Sequence, residues 1–105
     1  MENIDFVNSF QDVLTRYDLL KTCKESCERS IQSWAIDNPD ESKEWNLREI
    51  KLQFTHQACY FESPYFTIPN IELTMNIELG ENYFGRYVFQ CDLNGEFLDE
   101  YLIMD

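Results

Sequence analysis

At 105 residues the chain has room for one hydrophobic core, and its 44% hydrophobic and 15% aromatic content lies far above that of a disordered sequence. The 20 acids against 8 bases leave a net charge of −12, which repels phosphates and anionic lipid and disfavours direct binding to nucleic acid or membrane. The same excess favours a basic protein partner.

The first residues, Met1-Glu2-Asn3-Ile4-Asp5, carry no basic region, so the sequence reads as one without a secretory signal. No apolar run approaches the roughly 18 residues that span a bilayer. The 4 cysteines then read as reduced thiols, and the expected compartment is the cytoplasm.

The chain opens as helix. Phe6, Phe10, Val13, Tyr17 and Leu20 recur at steps of four and three, and Cys27, Ile31 and Trp34 continue the stripe beyond an interruption at Lys24. One straight helix from Asn3 to Ile36 would be roughly 50 Å long, against roughly 33 Å for a spherical globule of this size. A break or kink is therefore expected. Thr22-Cys23-Lys24-Glu25 has the form of a capping box and Asp18 offers a second N-cap, while a single bent helix is the alternative. Pro39 biases Asn38 away from the helical conformation and closes this layer, and a charged loop follows to Glu44.

From Ile50 the period becomes two. Ile50, Leu52, Phe54, His56, Ala58 and Tyr60 share one parity of a strand over Ile50–Tyr60. Residues 71–79 alternate most cleanly, with Glu72 and Glu78 opposite Ile71, Leu73 and Leu79. Gly80-Glu81-Asn82 turns the chain into a third strand over 84–91. Asp92-Leu93-Asn94-Gly95 is either a two-residue Asn-Gly turn or a type I turn with Gly95 as a bulge. The second is favoured because Asp92 can then accept hydrogen bonds. The last strand spans 97–104. The expected fold is a single α+β domain over residues 1–105, with a helical layer (1–36) on a four-stranded antiparallel meander (45–105). Short connections make sequential strands neighbours, and the helices are the only available cover. The layout looks cystatin-like.

Cys23 and Cys27, with His56 and Cys59, have loose metal-ligand spacing, but alternation sends His56 and Cys59 to opposite faces of their strand. Small apolar core residues are the expected role of the cysteines, and neither metal nor cofactor is expected. His56 is the only histidine and its parity places it in the core. A catalytic role would need an inward carboxylate, for which only Asp99 or Glu100 qualifies, and a pocket shared with Tyr87 and Phe89. Tyr60-Phe61-Glu62-Ser63-Pro64-Tyr65-Phe66 holds four aromatics in a short run, either capping the core or anchoring an interface. Residues 1–61 carry 11 acids and 7 bases, whereas residues 62–105 carry 9 acids and Arg86 alone. Such concentration of like charge costs self-repulsion that a basic partner relieves.

The run from Ile71 to Leu79, followed by Phe84-Gly85-Arg86-Tyr87-Val88-Phe89-Gln90-Cys91-Asp92-Leu93-Asn94-Gly95-Glu96-Phe97-Leu98-Asp99-Glu100, resembles the strand–hairpin endings of small acidic bacterial immunity proteins. These neutralise the toxin domains of contact-dependent and polymorphic toxin systems. The resemblance implies a cytosolic, non-enzymatic inhibitor that occludes a basic toxin, such as a nuclease. Glu72, Glu78, Glu81, Glu96, Asp99 and Glu100 are the expected partner-binding acids, with Tyr65 and Phe66 as the apolar centre. The alternatives are a small cone-shaped ligand-binding protein or enzyme using His56, a phage-type inhibitor that mimics nucleic-acid charge, and a helix-mediated oligomer.

Overall fold

The computed structural model of the protein describes residues 10–43, 45, 49–60 and 69–104. Phe6, Tyr65, Phe66 and the aromatic run at 61–66 lie outside the described residues. The order of elements is helix α1, described over residues 10–16, α2 (Leu19–Asp37), a short α3 (Pro39–Ser42), and strands β1 (Ile50–Tyr60), β2 (Asn70–Leu79), β3 (Asn82–Asp92) and β4 (Phe97–Met104). The strands form one antiparallel sheet in the order β1-β2-β3-β4. The fold is α+β, an N-terminal helical region followed by a four-stranded meander.

The helical region breaks at Asp18, which adopts φ 49° and ψ 47° in the left-handed region. Asp18 occupies the N-cap position of α2, but its side chain makes no capping bond. Thr22 lies inside α2, where its backbone N–H and its Oγ1 both donate to the Asp18 carbonyl, so the expected capping box is not formed. The break also explains the interruption at Lys24. It rotates α2 so that Leu19, Cys23, Cys27 and Ile31 face the sheet and Leu20 turns outward at 36% exposure, while Tyr17, before the break, lays its ring against Gly95 of the β3–β4 turn. A stripe continued straight through the break therefore misplaces Leu20. A left-handed conformation is costly for any residue with a side chain and free for glycine. Asp18→Gly is therefore expected to raise stability by about 0.5–1 kcal/mol, measurable as a higher urea midpoint.

At the other end of α2, Asn38 leaves the helical region (φ −129°, ψ 63°), as its place before Pro39 requires. Its Nδ2 donates to the Trp34 carbonyl, and Ser42 Oγ donates to the carbonyls of Ala35 and Asn38. These bonds satisfy carbonyls that a helix end leaves open. Residues 39–42, expected as loop, instead make one helical turn with Pro39 at its start, where its missing N–H costs nothing. Trp45 then stacks on Trp34 (centroids 5.1 Å apart) and meets Phe84 edge-on at 5.2 Å, pinning the connection to β3.

The core lies between the helices and the two central strands. Leu14, Leu19, Cys23, Cys27 and Ile31 meet Ile71, Leu73, Met75 and Ile77 of β2, and Tyr87, Phe89 and Cys91 of β3, all 4% exposed or less. The edge strands add half-buried Leu52, Phe54, Leu102 and Met104. The fold measures 51 × 24 × 20 Å. Strands of 11 residues make the fold elongated rather than spherical, so its length alone does not require the break in the helical region.

Candidate protein-binding surface

Single-residue irregularities decide which side chains reach which face. In β1 the register shifts between Phe54 and His56, leaving Thr55 as the extra residue. Up to Phe54 the expected parity holds, because Phe54 pairs with Met75. Beyond the shift it reverses. His56 pairs with Thr74 and Ala58 with Glu72 on the outer face, while Cys59 pairs with Ile71 on the core face. The placement of His56, Ala58 and Tyr60 in the core is thereby corrected, since one inserted residue carries every later side chain to the opposite face. His56 is 49% exposed. Its Nε2 lies 3.1 Å from Tyr60 Oη and 3.9 Å from Glu72 Oε2. Partial burial and a hydrogen bond to Glu72 raise the Tyr60 phenol above its ordinary range.

The β3–β4 hairpin is the type I turn with a glycine bulge. Gly95 has φ 81°, its N–H donates to the Asp92 carbonyl, and Asp92 Oδ1 accepts the N–H groups of Asn94 and Glu96. That turn alone would carry Asp99 inward. A second shift, with Cys91 opposite Phe97 but Gln90 opposite Asp99, makes Leu98 an extra residue and exchanges the two acids. Glu100 now pairs with Phe89 on the helix side, and Asp99 faces outward with Tyr101 and Ile103.

The acids expected at a partner surface therefore separate. Glu72, Glu78 and Asp99 share the outer face, with Arg86 also on it, and Glu78 sits opposite Lys51. Glu100 is on the helix side, where Oε2 accepts the Tyr87 hydroxyl at 2.5 Å. Burial, then this bond, push the Tyr87 phenol far above its ordinary value. Glu81 and Glu96 occupy turns at opposite ends of β3, roughly 35 Å apart at 3.3 Å per residue. Glu81 is thus not part of one patch with Glu96, Asp99 and Glu100. His56 and Glu100 stand on opposite faces of the sheet, and fully buried Tyr87 and Phe89 share no pocket with His56.

Cys23, Cys27 and Cys91 are fully buried, and burial pushes each thiol up to about 12. Protonated thiols are poor metal ligands and poor nucleophiles. Among the described residues no group of three or more His, Cys, Asp or Glu is arranged to hold a metal ion, and no helix is long and apolar enough to cross a membrane.

Sequence reading missed the apolar partners of the acids. Phe97 is 56% exposed, Tyr83 49%, Ile103 41% and Tyr101 40%. Three of these four lie on β4, and Tyr101-Leu102-Ile103-Met104 is apolar on both parities, a pattern that leaves one side of an edge strand uncovered. No family model, curated protein or solved structure matches the chain.

Proposed function

We propose that the protein is a non-enzymatic inhibitor that binds and occludes a basic protein, in the manner of an immunity protein facing a toxin domain. One observation carries this reading: from Glu96 to Ile103 the edge of the sheet interleaves Glu96, Asp99 and Glu100 with exposed Phe97, Tyr101 and Ile103, and holds no base. Acids speed the encounter with a positive surface, and desolvated aromatic side chains slow its release. A nuclease must itself be basic to hold its substrate, so an acidic edge complements it and competes with the substrate electrostatically. Among the described residues, His56, Tyr60 and Glu72 form a hydrogen-bonding trio on the open face of the sheet, and we assign them to its periphery.

The test compares two charge reversals of equal size against the protein encoded by the neighbouring gene. Glu96→Lys is expected to slow association roughly tenfold at low salt and to weaken its salt dependence, whereas Glu81→Lys at the far end leaves it nearly unchanged. Phe97→Ala with Tyr101→Ala is expected to raise dissociation instead. Equal effects of the two reversals would mean that only net charge matters, and no effect of any variant would place the interface elsewhere.

A further inference from the structure

Strand β4 ends the sheet, and among the described residues nothing pairs with its free edge. The Glu100 N–H donates to Asp99 Oδ1 at 2.8 Å rather than to β3. In an antiparallel ladder, inward- and outward-pointing backbone groups alternate, so Leu102 and Met104 also present their N–H and C=O groups to the free edge. An open edge ordinarily carries lysine, proline or a covering element. This one carries neither lysine nor proline over Phe97–Met104 and no covering strand among the described residues, but it does hold two adjacent acids and the bulge at Leu98.

Resting on the reading of the protein as a binder of basic partners, we propose that the β4 edge accepts an extended, basic segment of the partner as a fifth strand. The geometry on each side of β4 fits such a segment. Toward the helices, a cleft of about 460 Å³ runs between α2 and β4, lined by Ser26, Arg29, Ser30, Ser33, Glu100 and Leu102. Arg29, the one base in this lining, donates to Ser26 Oγ along the helix wall and keeps its charge, so the basic side chains of the segment are placed at Glu100 and Asp99 rather than beside it. Glu100 accepts the Tyr87 hydroxyl with one carboxylate oxygen, and among the described residues no base pairs with its carboxylate. On the outer face, Tyr101 and Ile103 offer apolar contact to the alternate side chains.

Asp99 supplies the exchange. Its Oδ1 caps the Glu100 N–H and its Oδ2 accepts the Tyr101 hydroxyl at 2.9 Å. A carbonyl of the incoming strand replaces Asp99 at the Glu100 N–H, and the released oxygen turns to a basic side chain of the same strand. A second copy of this chain brings the same acids and a net charge of −12 to the same edge, so self-association is opposed electrostatically. A basic partner strand is therefore favoured over self-pairing.

The probe is an eight-residue peptide of alternating lysine and valine, added to the isotopically labelled full chain. Two further peptides serve as comparisons: the same sequence with every amide N-methylated, and a glutamate–valine counterpart. Hydrogen exchange at the Glu100, Leu102 and Met104 amides is expected to slow with the lysine–valine peptide. N-methylation should weaken its binding about tenfold or more, because it keeps the charge and removes the backbone donors. The acidic peptide should not bind. Equal binding of the N-methylated peptide, or protection confined to other amides, overturns strand addition while leaving an acidic binding surface intact. Failure of the lysine–valine peptide to bind at all also overturns it, and the Glu96→Lys comparison with the partner protein then decides separately whether the broader reading survives.

Discussion

Gly85→Ala is expected to lower stability by about 3 kcal/mol, near the upper end of what overpacking a core ordinarily costs. A Cβ at this position would lie 2.2 Å from the Ile103 carbonyl oxygen and 3.0 Å from Met104 Cα. Both are backbone atoms of β4, so no rotamer change relieves the contact. β4 must move away from β3, which disturbs the Gly85–Met104 pair and withdraws Leu102 and Met104 from the core. Gly80 gives the comparison. It has φ 64°, but its added Cβ would meet nothing within 4 Å, so Gly80→Ala bears only the conformational cost of about 1 kcal/mol. For a domain of this length the difference is roughly a 10 °C gap in melting temperature. Equal melting temperatures for the two variants would mean that β3 and β4 do not approach as closely as described.

The contrast between these glycines bears on what the residues reveal before folding is seen. Strand existence was legible because a two-residue period is a strong signal: β1 spans the expected Ile50–Tyr60 and β4 the expected Phe97–Met104. The turn at Asp92 was legible for a chemical reason, since its carboxylate sits where two N–H groups need an acceptor. Faces were less legible than strands. The extra residues Thr55 and Leu98 bear no glycine or proline to mark them, yet each reverses the parity of everything beyond it. That is why His56 was expected inside and stands outside, and why turn geometry alone could not choose between Asp99 and Glu100. The helix break behaves likewise. Asp18 was visible as a candidate cap, but its left-handed backbone, which rephases the stripe from Lys24 to Cys23, has no sequence mark.

The proposed site divides along the same line. Glu96, Asp99 and Glu100 were recognisable because charge is a property of composition, which survives any error of parity. Their neighbours were not, because whether Tyr101 or Leu102 faces the helices depends on the bulge at Leu98. Glu81 shares with them only an acidic turn, and the full length of β3 separates the two turns. Proximity along a meander alternates end by end, so acids in successive turns are the ones least able to cooperate at a single partner.

The buried thiols lead to a second large effect, alkaline destabilisation beginning near pH 9. Cys23, Cys27 and Cys91 are raised from 9.0 to about 12, mainly by burial and then by the neighbouring anions or thiolates. A group whose folded pKa lies above its unfolded value contributes its full stabilisation below the unfolded pKa. As pH rises beyond 9 the unfolded chain releases these protons first, and stability falls until the folded thiols titrate near 12. Three pH units correspond to at most about 4 kcal/mol for one thiol taken alone, less whatever water screens, and neighbouring thiols do not contribute additively. Against a total stability of roughly 5–15 kcal/mol, this is a large share of the margin, so the fold weakens measurably before the thiols ionise in place. Tyr87 adds to the same trend above its ordinary value of 10.0, because it too is held protonated in the fold. Urea midpoints measured under reducing conditions should be level from neutral pH to about 8.5 and then decline steadily. In Cys27→Ala, weakened at neutral pH by the lost packing, the decline should be shallower than in the parent; Cys59→Ala, at a less buried thiol, should change its slope little. A flat profile up to about pH 11 would mean that the thiols are already solvated in the folded chain, and that the helices do not seal this side of the sheet.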